Sequence, residues 1–424
     1  MPGNEETVRR RSFWAVLVAL YVAQGIPGYL LIMAVPAALR AEGMPLQQVG
    51  MMSVLMLPLV LKFLWAPLVD RTRLLRWGHR RGWILCTQLL TVLGIGLLAW
   101  VGPKASITAI LGIGMLIALS VATQDIATDG YATQQLKSAE LGRGNAIQAA
   151  SVAAGVLIGG TLSMTLIEHW GWSAALLVMA VLCMLPLLFL PWMHEPSPAF
   201  AGRAGGGKVS AVHQPRLGHF LRRPGMLWIL GLAIIYRLSE GMQRSMENSY
   251  LLANELTLGQ VGLLGGSGAA IAGLFGSALA ALWLRNSSRE QVLLWLSASR
   301  IALFALFLLH SLHWLGGNGS LVALAIALSM LRYMEMVALY ALFMSASSSE
   351  QPGTDFTILA CAELLTYMLS SIAGGFIAKQ MGFSGLFSVS TALAAFSFCI
   401  AWLVLSRFRQ AGWGAPGDAR GVAA

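Results

Sequence analysis

The sequence predicts an all-α polytopic membrane protein with twelve transmembrane helices arranged in two six-helix halves. Three observations lead to this fold class: an apolar composition, twelve long apolar runs, and an uneven distribution of basic residues between those runs. Of the 424 residues, 57% are hydrophobic and 11% are charged, and the mean hydropathy is +0.70. Soluble domains carry about 25% charged residues, so lipid must be the main solvent of this chain.

The apolar runs define the predicted helices. A membrane-spanning helix needs about 20 mostly apolar residues, and twelve stretches of the chain meet that requirement. They are 13–39, 46–69, 81–101, 106–135, 143–167, 173–192, 226–253, 259–284, 289–311, 320–346, 354–378 and 384–406. The first run follows three arginines, as the core of a signal peptide would, but it exceeds the roughly 7–15 residues of such a core. We therefore interpret it as an uncleaved first helix.

The long connection between the sixth and seventh runs divides the chain. Its prolines and glycines are typical of a flexible linker, and they are Pro196, Pro198, Gly205, Gly206 and Gly207. The predicted organisation is an N-terminal six-helix half (1–192), a cytoplasmic linker (193–225), a C-terminal six-helix half (226–408) and a cytoplasmic tail (409–424).

The basic residues indicate the orientation. With the N-terminus in the cytoplasm, 20 of the 28 Lys and Arg residues fall in cytoplasmic segments, and only Arg40, Lys104 and Lys379 fall in outer loops. Cytoplasmic loops of membrane proteins are rich in Lys and Arg, so this bias predicts that both termini are cytoplasmic. The net charge of +10 resides in short loops and not in a separate basic domain, which argues against a nucleic-acid partner.

The reactive residue types form no catalytic or metal-binding pattern. Cys86, Cys183, Cys361 and Cys399 stand singly in apolar runs, without the spacing of zinc ligands. None of the seven histidines lies beside a Ser, Asp or Cys in a known catalytic spacing, and there is no phosphate-binding P-loop. The sequence therefore predicts a protein that is not an enzyme and that uses neither a metal nor a cofactor.

Two six-helix halves joined by a basic linker resemble the architecture of the major facilitator superfamily. The resemblance implies a substrate near the middle of the membrane and a cavity lined by helices 1, 4, 7 and 10. Ionisable side chains inside a membrane are costly and usually functional. Those on helices 4, 7 and 10 are Asp125, Asp129, Arg237, Glu240, Arg244, Glu247, Arg332 and Glu335; those elsewhere are Lys62, Arg300, Asp355 and Glu363.

Helix 7 carries the densest set of these charges. Arg237, Glu240, Arg244 and Glu247 are spaced by three, four and three residues, which places them on one helix face. The charges on that face either pair with one another as a ladder of ion pairs, or they line a polar pathway. In the second interpretation, Arg237 is available to an anionic group of the substrate.

Helix 10 repeats the pattern with Arg332 and Glu335, which form either a structural ion pair or part of the pathway. Arg300, in the ninth run, has no evident partner in the sequence. The candidate substrate-binding residues are Arg237, Glu240, Arg332 and Glu335, together with Tyr21 and Gln24 on helix 1.

Asp125 and Asp129 lie four residues apart on one face of helix 4. Like charges repel at that spacing, and in a low-dielectric site a carboxylate either takes up a proton or pairs with a basic group. They are therefore the candidate proton-coupling residues. As an alternative, Asp129 joins a gate network with Arg143 or Arg71. Lys62 either extends to the cytoplasmic surface or pairs with Asp125.

The loop after helix 2 contains a candidate cytoplasmic gate. Asp70, Arg71, Arg80 and Arg81 resemble the helix 2–3 loop motif of the superfamily, in which Asp and Arg hold the cytoplasmic side shut. Here the spacing is longer and the motif glycine is absent. An ordinary basic loop is the alternative interpretation.

Several stretches resemble the AmpG-like branch of that superfamily. They are 62–70 in helix 2, 80–84 at the start of helix 3, 122–132 in helix 4, and 236–240 in helix 7, which is similar to a Tyr-Lys-Leu-Gly-Asp pattern. The branch includes muropeptide permeases, acetyl-CoA transporters and the RhtX/FptX siderophore transporters. The length, the helix count and residues 353–357 look most like the last group.

This resemblance implies a monomeric secondary transporter in the bacterial inner membrane. Its expected function is proton-coupled import of a siderophore or a ferric-siderophore complex. An AmpG-like muropeptide permease and an acetyl-CoA-type transporter are the alternatives. The expected partners are a small anionic molecule and the lipid bilayer.

Overall fold

The computed structural model describes residues 2–195 and 215–410. Over those ranges the chain is helical apart from turns and short loops. Most of the predicted linker, 196–214, and of the predicted tail, 411–424, lies outside the described residues.

Twelve main helices can be numbered along the described chain. They are α1 (Arg10–Ala41), α2 (Gln48–Leu64), α3 (His79–Val101), α4 (Ile107–Gln135), α5 (Ser138–Trp170), α6 (Trp172–Trp192), α7 (Met226–Ala253), α8 (Gly259–Asn286), α9 (Arg289–Ser311), α10 (Asn318–Ala346), α11 (352–381) and α12 (383–407). The last two form one continuous stretch that bends at Gly382, where φ is +70°. Two short helices lie at Ala66–Arg71 and Leu217–Arg222.

Nine helical stretches in the described ranges are long and apolar enough to cross a membrane. They are α1, α3 to α6, α8 to α10, and the stretch of α11 and α12 counted once. α2 is shorter, with 3₁₀ turns at Met52–Met56 and Lys62–Leu64. Pro58 lies between these turns and has no N–H to donate to the preceding helical turn. α7 has sufficient length but carries four charged residues.

The chain forms two compact units, which are described separately. Unit 1 comprises Met1–Gln135, Ala154–His219 and Ser347–Thr357, and unit 2 comprises Leu136–Ala153, Phe220–Ala346 and Ile358–Ala424. Each unit therefore contains most of one predicted half and a short segment of the other. The boundaries of the two halves, the linker and the tail that the sequence predicts stay a prediction.

Unit 1 has an apolar core and one very close helix contact. The core joins α1, α2, α3, α4 and α6 through residues such as Leu30, Leu55 and Ile117. The backbone of α5 lies against α1, because a Cβ added at Gly155 would be 2.8 Å from the backbone of Gly25. Both helices contain a short π-helical segment beyond this contact. The two helix backbones are therefore in direct contact at this point.

Unit 2 contains a similar close contact between α7 and α11. A Cβ added at Gly241 would lie 2.5 Å from the carbonyl oxygen of Tyr367, and one added at Gly374 would lie 3.0 Å from the Cα atom of Met242. Only glycine permits these approaches without a shift of the backbone. As a result, charged side chains on α7 and α11 come within reach of each other.

Candidate functional site

The charged face of α7 forms ion pairs that reach α11. Arg237 donates to Glu240 one turn along α7 and to Glu363 of α11. All three side chains are buried. Further along α7, Arg244 and Glu247 pair at 2.6 Å. The ladder predicted from the spacing is present, but its inner arginine also binds Glu363, which the sequence left outside the candidate site.

Arg332 of α10 joins this group from the other side of Glu240. Its Nε atom lies 3.1 Å from Glu240 Oε1, and its guanidinium lies 5.4 Å from the centre of the Tyr367 ring. The Arg332 side chain is 37% exposed, whereas Glu240 is 5% exposed. Glu240 therefore bridges a buried arginine, Arg237, and an accessible one.

Glu335 pairs with Arg300 of α9 and not with Arg332, its neighbour in sequence. The Arg300 Nε and Nη2 atoms lie 2.9 Å and 2.6 Å from the two carboxylate oxygens, and both side chains are buried. The Arg300 guanidinium also lies 4.3 Å from the centre of the Tyr236 ring. The structure thus gives Arg300 the partner that the sequence left undefined. Arg332 and Glu335 lie three residues apart on α10 but bind different helices, because the Glu335 side chain contacts α9 and the Arg332 side chain contacts α7.

These ion pairs form one group, named here the six-charge cluster. Its members are Arg237, Glu240, Arg300, Arg332, Glu335 and Glu363. A cavity of about 10 Å³ adjoins it and is lined by Glu240, Arg244, Phe304, Leu328, Ser329 and Arg332. That volume is about enough for one water molecule.

The candidate proton-coupling residues of unit 1 have separate partners. Asp125 forms an ion pair with Lys62, whose side chain is 5% exposed against 18% for Asp125. The structure agrees with the second interpretation of Lys62, in which its side chain pairs with Asp125. Asp129 accepts a hydrogen bond of 3.0 Å from the hydroxyl of Tyr21. Two carboxylates on one helix face thus lie in different environments.

The two candidates on α1 both contact α4. In addition to the Tyr21 bond, Gln24 Nε2 donates to the Thr128 hydroxyl at 2.6 Å. Both side chains are buried. The structure therefore places Tyr21 and Gln24 in the packing between α1 and α4, where they fix the face of α4 that carries Asp125 and Asp129.

Two of the four gate candidates meet. Asp70 forms a buried ion pair of 2.5 Å with Arg80 and accepts hydrogen bonds from the amide and hydroxyl of Thr354, at 2.6 Å and 2.7 Å. The side chain of Arg71 is exposed, and that of Arg81 donates to a backbone carbonyl after α6. The Asp70 contact with Thr354 joins two parts of unit 1 that are far apart in sequence, which the sequence did not reveal.

Glu195, just after α6, supplies the N-terminal cap of α3. Its two carboxylate oxygens accept hydrogen bonds from the backbone N–H groups of His79, Arg80 and Arg81, at 2.6, 3.1 and 2.6 Å. Gly78 leaves room for it, because an added Cβ would lie 2.5 Å from Glu195 Oε1. A carboxylate at a helix N-terminus also interacts favourably with the helix dipole. Glu195 thereby fixes the start of the helix that carries Arg80.

Glu195→Ala is expected to destabilise unit 1 by about 1–2 kcal/mol, as loss of a helix cap does. Thermal unfolding of the purified protein in detergent measures this. Glu195→Gln, which keeps one acceptor oxygen, is the matched control and is expected to lose less. Equal unfolding midpoints for the wild type and Glu195→Ala would contradict the capping role.

The family follows from comparison with known proteins. The model of the Major Facilitator Superfamily matches residues 13–242, just over half of the chain. The chain therefore belongs to the Major Facilitator Superfamily. It is a multi-pass helical membrane protein.

Two curated relatives indicate which branch of the superfamily this chain resembles. The anhydromuropeptide permease of Escherichia coli (strain K12) is 29% identical over 282 residues, which are 66% of this chain and 57% of the permease. The chain thus spans little more than half the length of that relative. The putative transporter AmpG 4 of Rickettsia conorii is 23% identical over 389 residues, 88% of this chain and 92% of that protein. These relatives support the AmpG-like branch and give no support to the siderophore group.

Solved structures show the same fold. The transporter FucP in its outward conformation superposes with a TM-score of 0.69 at 14% identity, over 92% of this chain and 98% of FucP. The human organic anion transporter MFSD10 gives a TM-score of 0.65 at 17% identity, over 93% of this chain and 99% of that one. At such identities the likeness concerns the fold alone.

Proposed function

We propose that this chain imports muropeptides, the peptide-bearing fragments of the cell wall, across the bacterial inner membrane. The observation that carries the proposal is the 29% identity to an anhydromuropeptide permease over 282 residues. A muropeptide presents carboxylates on its peptide, and arginine binds a carboxylate with two parallel hydrogen bonds. Arg332, the accessible arginine of the six-charge cluster, is the candidate for that contact.

The proposed membrane arrangement has twelve crossings and both termini in the cytoplasm. α2 and α7 are the crossings that length and apolarity alone do not identify. Support for α7 comes from its four charges, which pair with other side chains and so avoid exposure to lipid. The bias of Lys and Arg toward one side supports the orientation. We take the transporting form to be a monomer.

We assign proposed roles to the remaining candidates in unit 1. Asp125 and Asp129 couple transport to protons, with Asp125 the more accessible member of its ion pair. Asp70 and Arg80 hold the cytoplasmic gate, and Thr354 extends that contact. Arg71 and Arg81 support the gate only through their local positive charge.

The test is uptake by the purified protein in proteoliposomes. We expect a radiolabelled anhydromuropeptide to accumulate when the interior is alkaline and to equilibrate without accumulation when the pH gradient is collapsed. A ferric siderophore, tested in parallel, is expected to give only the uptake of protein-free liposomes. Accumulation of the siderophore and not of the anhydromuropeptide would overturn the proposed substrate.

Arg332→Gln is expected to raise the KM for anhydromuropeptide about 10- to 100-fold, with a smaller effect on kcat. The reason is that a hydrogen bond to a charged group contributes about 1.5–3 kcal/mol. Arg244→Gln is the control, because Arg244 adjoins the same cavity but pairs with Glu247. Similar KM values for the wild type and Arg332→Gln would exclude Arg332 from the binding site.

A further inference from the structure

With all six groups ionised, the six-charge cluster of unit 2 has no net charge. It contains three arginines and three glutamates, and every glutamate pairs with at least one arginine. The neighbouring pair of Arg244 and Glu247 is also neutral. No arginine of the cluster therefore carries an uncompensated positive charge that would attract an anionic ligand.

This neutrality constrains how a carboxylate can bind. A ligand carboxylate beside Arg332 would leave the cluster with one excess negative charge in a region of low dielectric constant. An uncompensated buried charge costs several kcal/mol. The ligand can bind without that cost only if one positive charge enters with it, and a proton on one of the three glutamates is the smallest such charge.

The contacts single out Glu240 among the three. Glu335 is bound by Arg300, which is buried on α9, and Glu363 is bound by Arg237, which is buried on α7. Glu240 alone lies against Arg332, the accessible arginine, and it also lines the small cavity.

Titratable and charged groups surround Glu240 on four helices. They are Tyr236, Arg237 and Arg244 on α7, Arg300 on α9, Arg332, Glu335 and Tyr340 on α10, and Glu363 and Tyr367 on α11. Three of them are the arginines of the cluster. When Glu240 takes up a proton, it no longer compensates the positive charge of Arg332, and that charge can then attract an incoming anion.

We propose that Glu240 occupies, in the ligand-free protein, the place that a substrate carboxylate takes, and that each carboxylate binds beside Arg332 together with one proton on Glu240. The proton forms an O–H bond to a Glu240 oxygen, and the contact between Glu240 and Arg332 breaks. Arg332 then donates to the ligand carboxylate, and the cluster stays neutral. The identity of the ligand rests on the proposed function, whereas the exchange at Glu240 does not.

The first measurement needs no substrate. Glu240→Ala vacates the place beside Arg332, so acetate is expected to raise the thermal unfolding midpoint of this variant by several degrees relative to chloride at equal ionic strength. Glu335→Ala is the matched control, since it removes an equally buried glutamate of the same cluster that pairs with Arg300 and not with Arg332; acetate is expected to leave its midpoint unchanged. Absence of an acetate effect on Glu240→Ala, or an equal effect on both variants, overturns the proposal.

The second measurement uses the isosteric Glu240→Gln, so that misfolding of the alanine variant does not decide the question. Proton uptake on binding of anhydromuropeptide is recorded with a pH-sensitive dye in weakly buffered detergent solution. We expect one proton per ligand for the wild type and none for Glu240→Gln. Equal proton uptake by the wild type and Glu240→Gln overturns the exchange.

The two proposals can fail separately. If acetate stabilises Glu240→Ala but the wild type does not bind anhydromuropeptide, the proposed substrate is wrong and the exchange at Glu240 stands. If anhydromuropeptide binds to the wild type without proton uptake, the exchange is wrong and the proposed substrate stands.

Discussion

Arg300→Met is expected to destabilise the protein by about 3–5 kcal/mol, because it leaves Glu335 as an unpaired charge in a buried site. Arg300 is 1% exposed and contacts both carboxylate oxygens of Glu335. It also donates to the backbone carbonyl of Tyr236, which joins α9 to α7. Equilibrium unfolding in mixed micelles of a mild detergent and sodium dodecyl sulfate measures the loss.

Two further variants separate the cost of the orphaned charge from the loss of packing. Arg300→Met combined with Glu335→Gln removes both charges and is expected to recover most of the lost stability. Arg244→Met breaks the more exposed pair with Glu247 and is expected to cost less than Arg300→Met. If the double variant were as unstable as Arg300→Met, the pairing of Arg300 with Glu335 would not be the source of the effect.

Helix positions could be predicted well from the sequence for a physical reason. A chain in lipid must satisfy its backbone hydrogen bonds within each segment, so a long apolar run is almost obliged to be a helix. The run predicted at 289–311 coincides with α9, and the run at 173–192 lies within α6. The bounds of α2 were harder to predict, because Pro58 and the 3₁₀ turn at Lys62 interrupt a segment that the sequence predicts as one continuous helix.

In unit 2, the ion pairs could be predicted only where both partners share a helix. Spacing along α7 places Arg237 and Glu240 on one face, and that pair is present. Spacing says nothing about which helix packs opposite, so Glu363 of α11 and the contact of Arg300 with Glu335 depend on tertiary packing. One signal was available for Arg300: a lone arginine in the middle of an apolar run requires an acidic partner elsewhere.

The capping role of Glu195 could not be predicted from the sequence, for a different reason. It lies beyond the end of α6, where a glutamate before a proline-rich segment reads as part of a linker. Its role as a cap depends on three N–H groups that become available only when α3 starts at His79. No local pattern in the sequence connects these segments, which lie more than a hundred residues apart.

Asp125→Asn is expected to reduce accumulation of substrate while leaving substrate binding in place. Asparagine cannot gain or lose a proton near neutral pH, so it cannot alternate between a charged partner of Lys62 and a neutral group. Accumulation of anhydromuropeptide in proteoliposomes with an imposed pH gradient should fall well below that of the wild type, and the remaining accumulation should depend on the proton taken up at Glu240. Exchange of labelled for unlabelled substrate across the same membranes should persist, because exchange needs no net movement of protons.

The Lys62 pairing requires a control for stability, since Asp125→Asn also removes the negative charge that pairs with the buried Lys62. The double variant Lys62→Met and Asp125→Asn removes both charges, and we expect it to restore the unfolding midpoint but not accumulation. Asp129→Asn keeps an acceptor for the Tyr21 hydroxyl and shows whether the second carboxylate of α4 is also required. If the double variant accumulated substrate to the wild-type level, the defect of Asp125→Asn would come from the loss of the ion pair with Lys62, and Asp125 would not be a coupling residue.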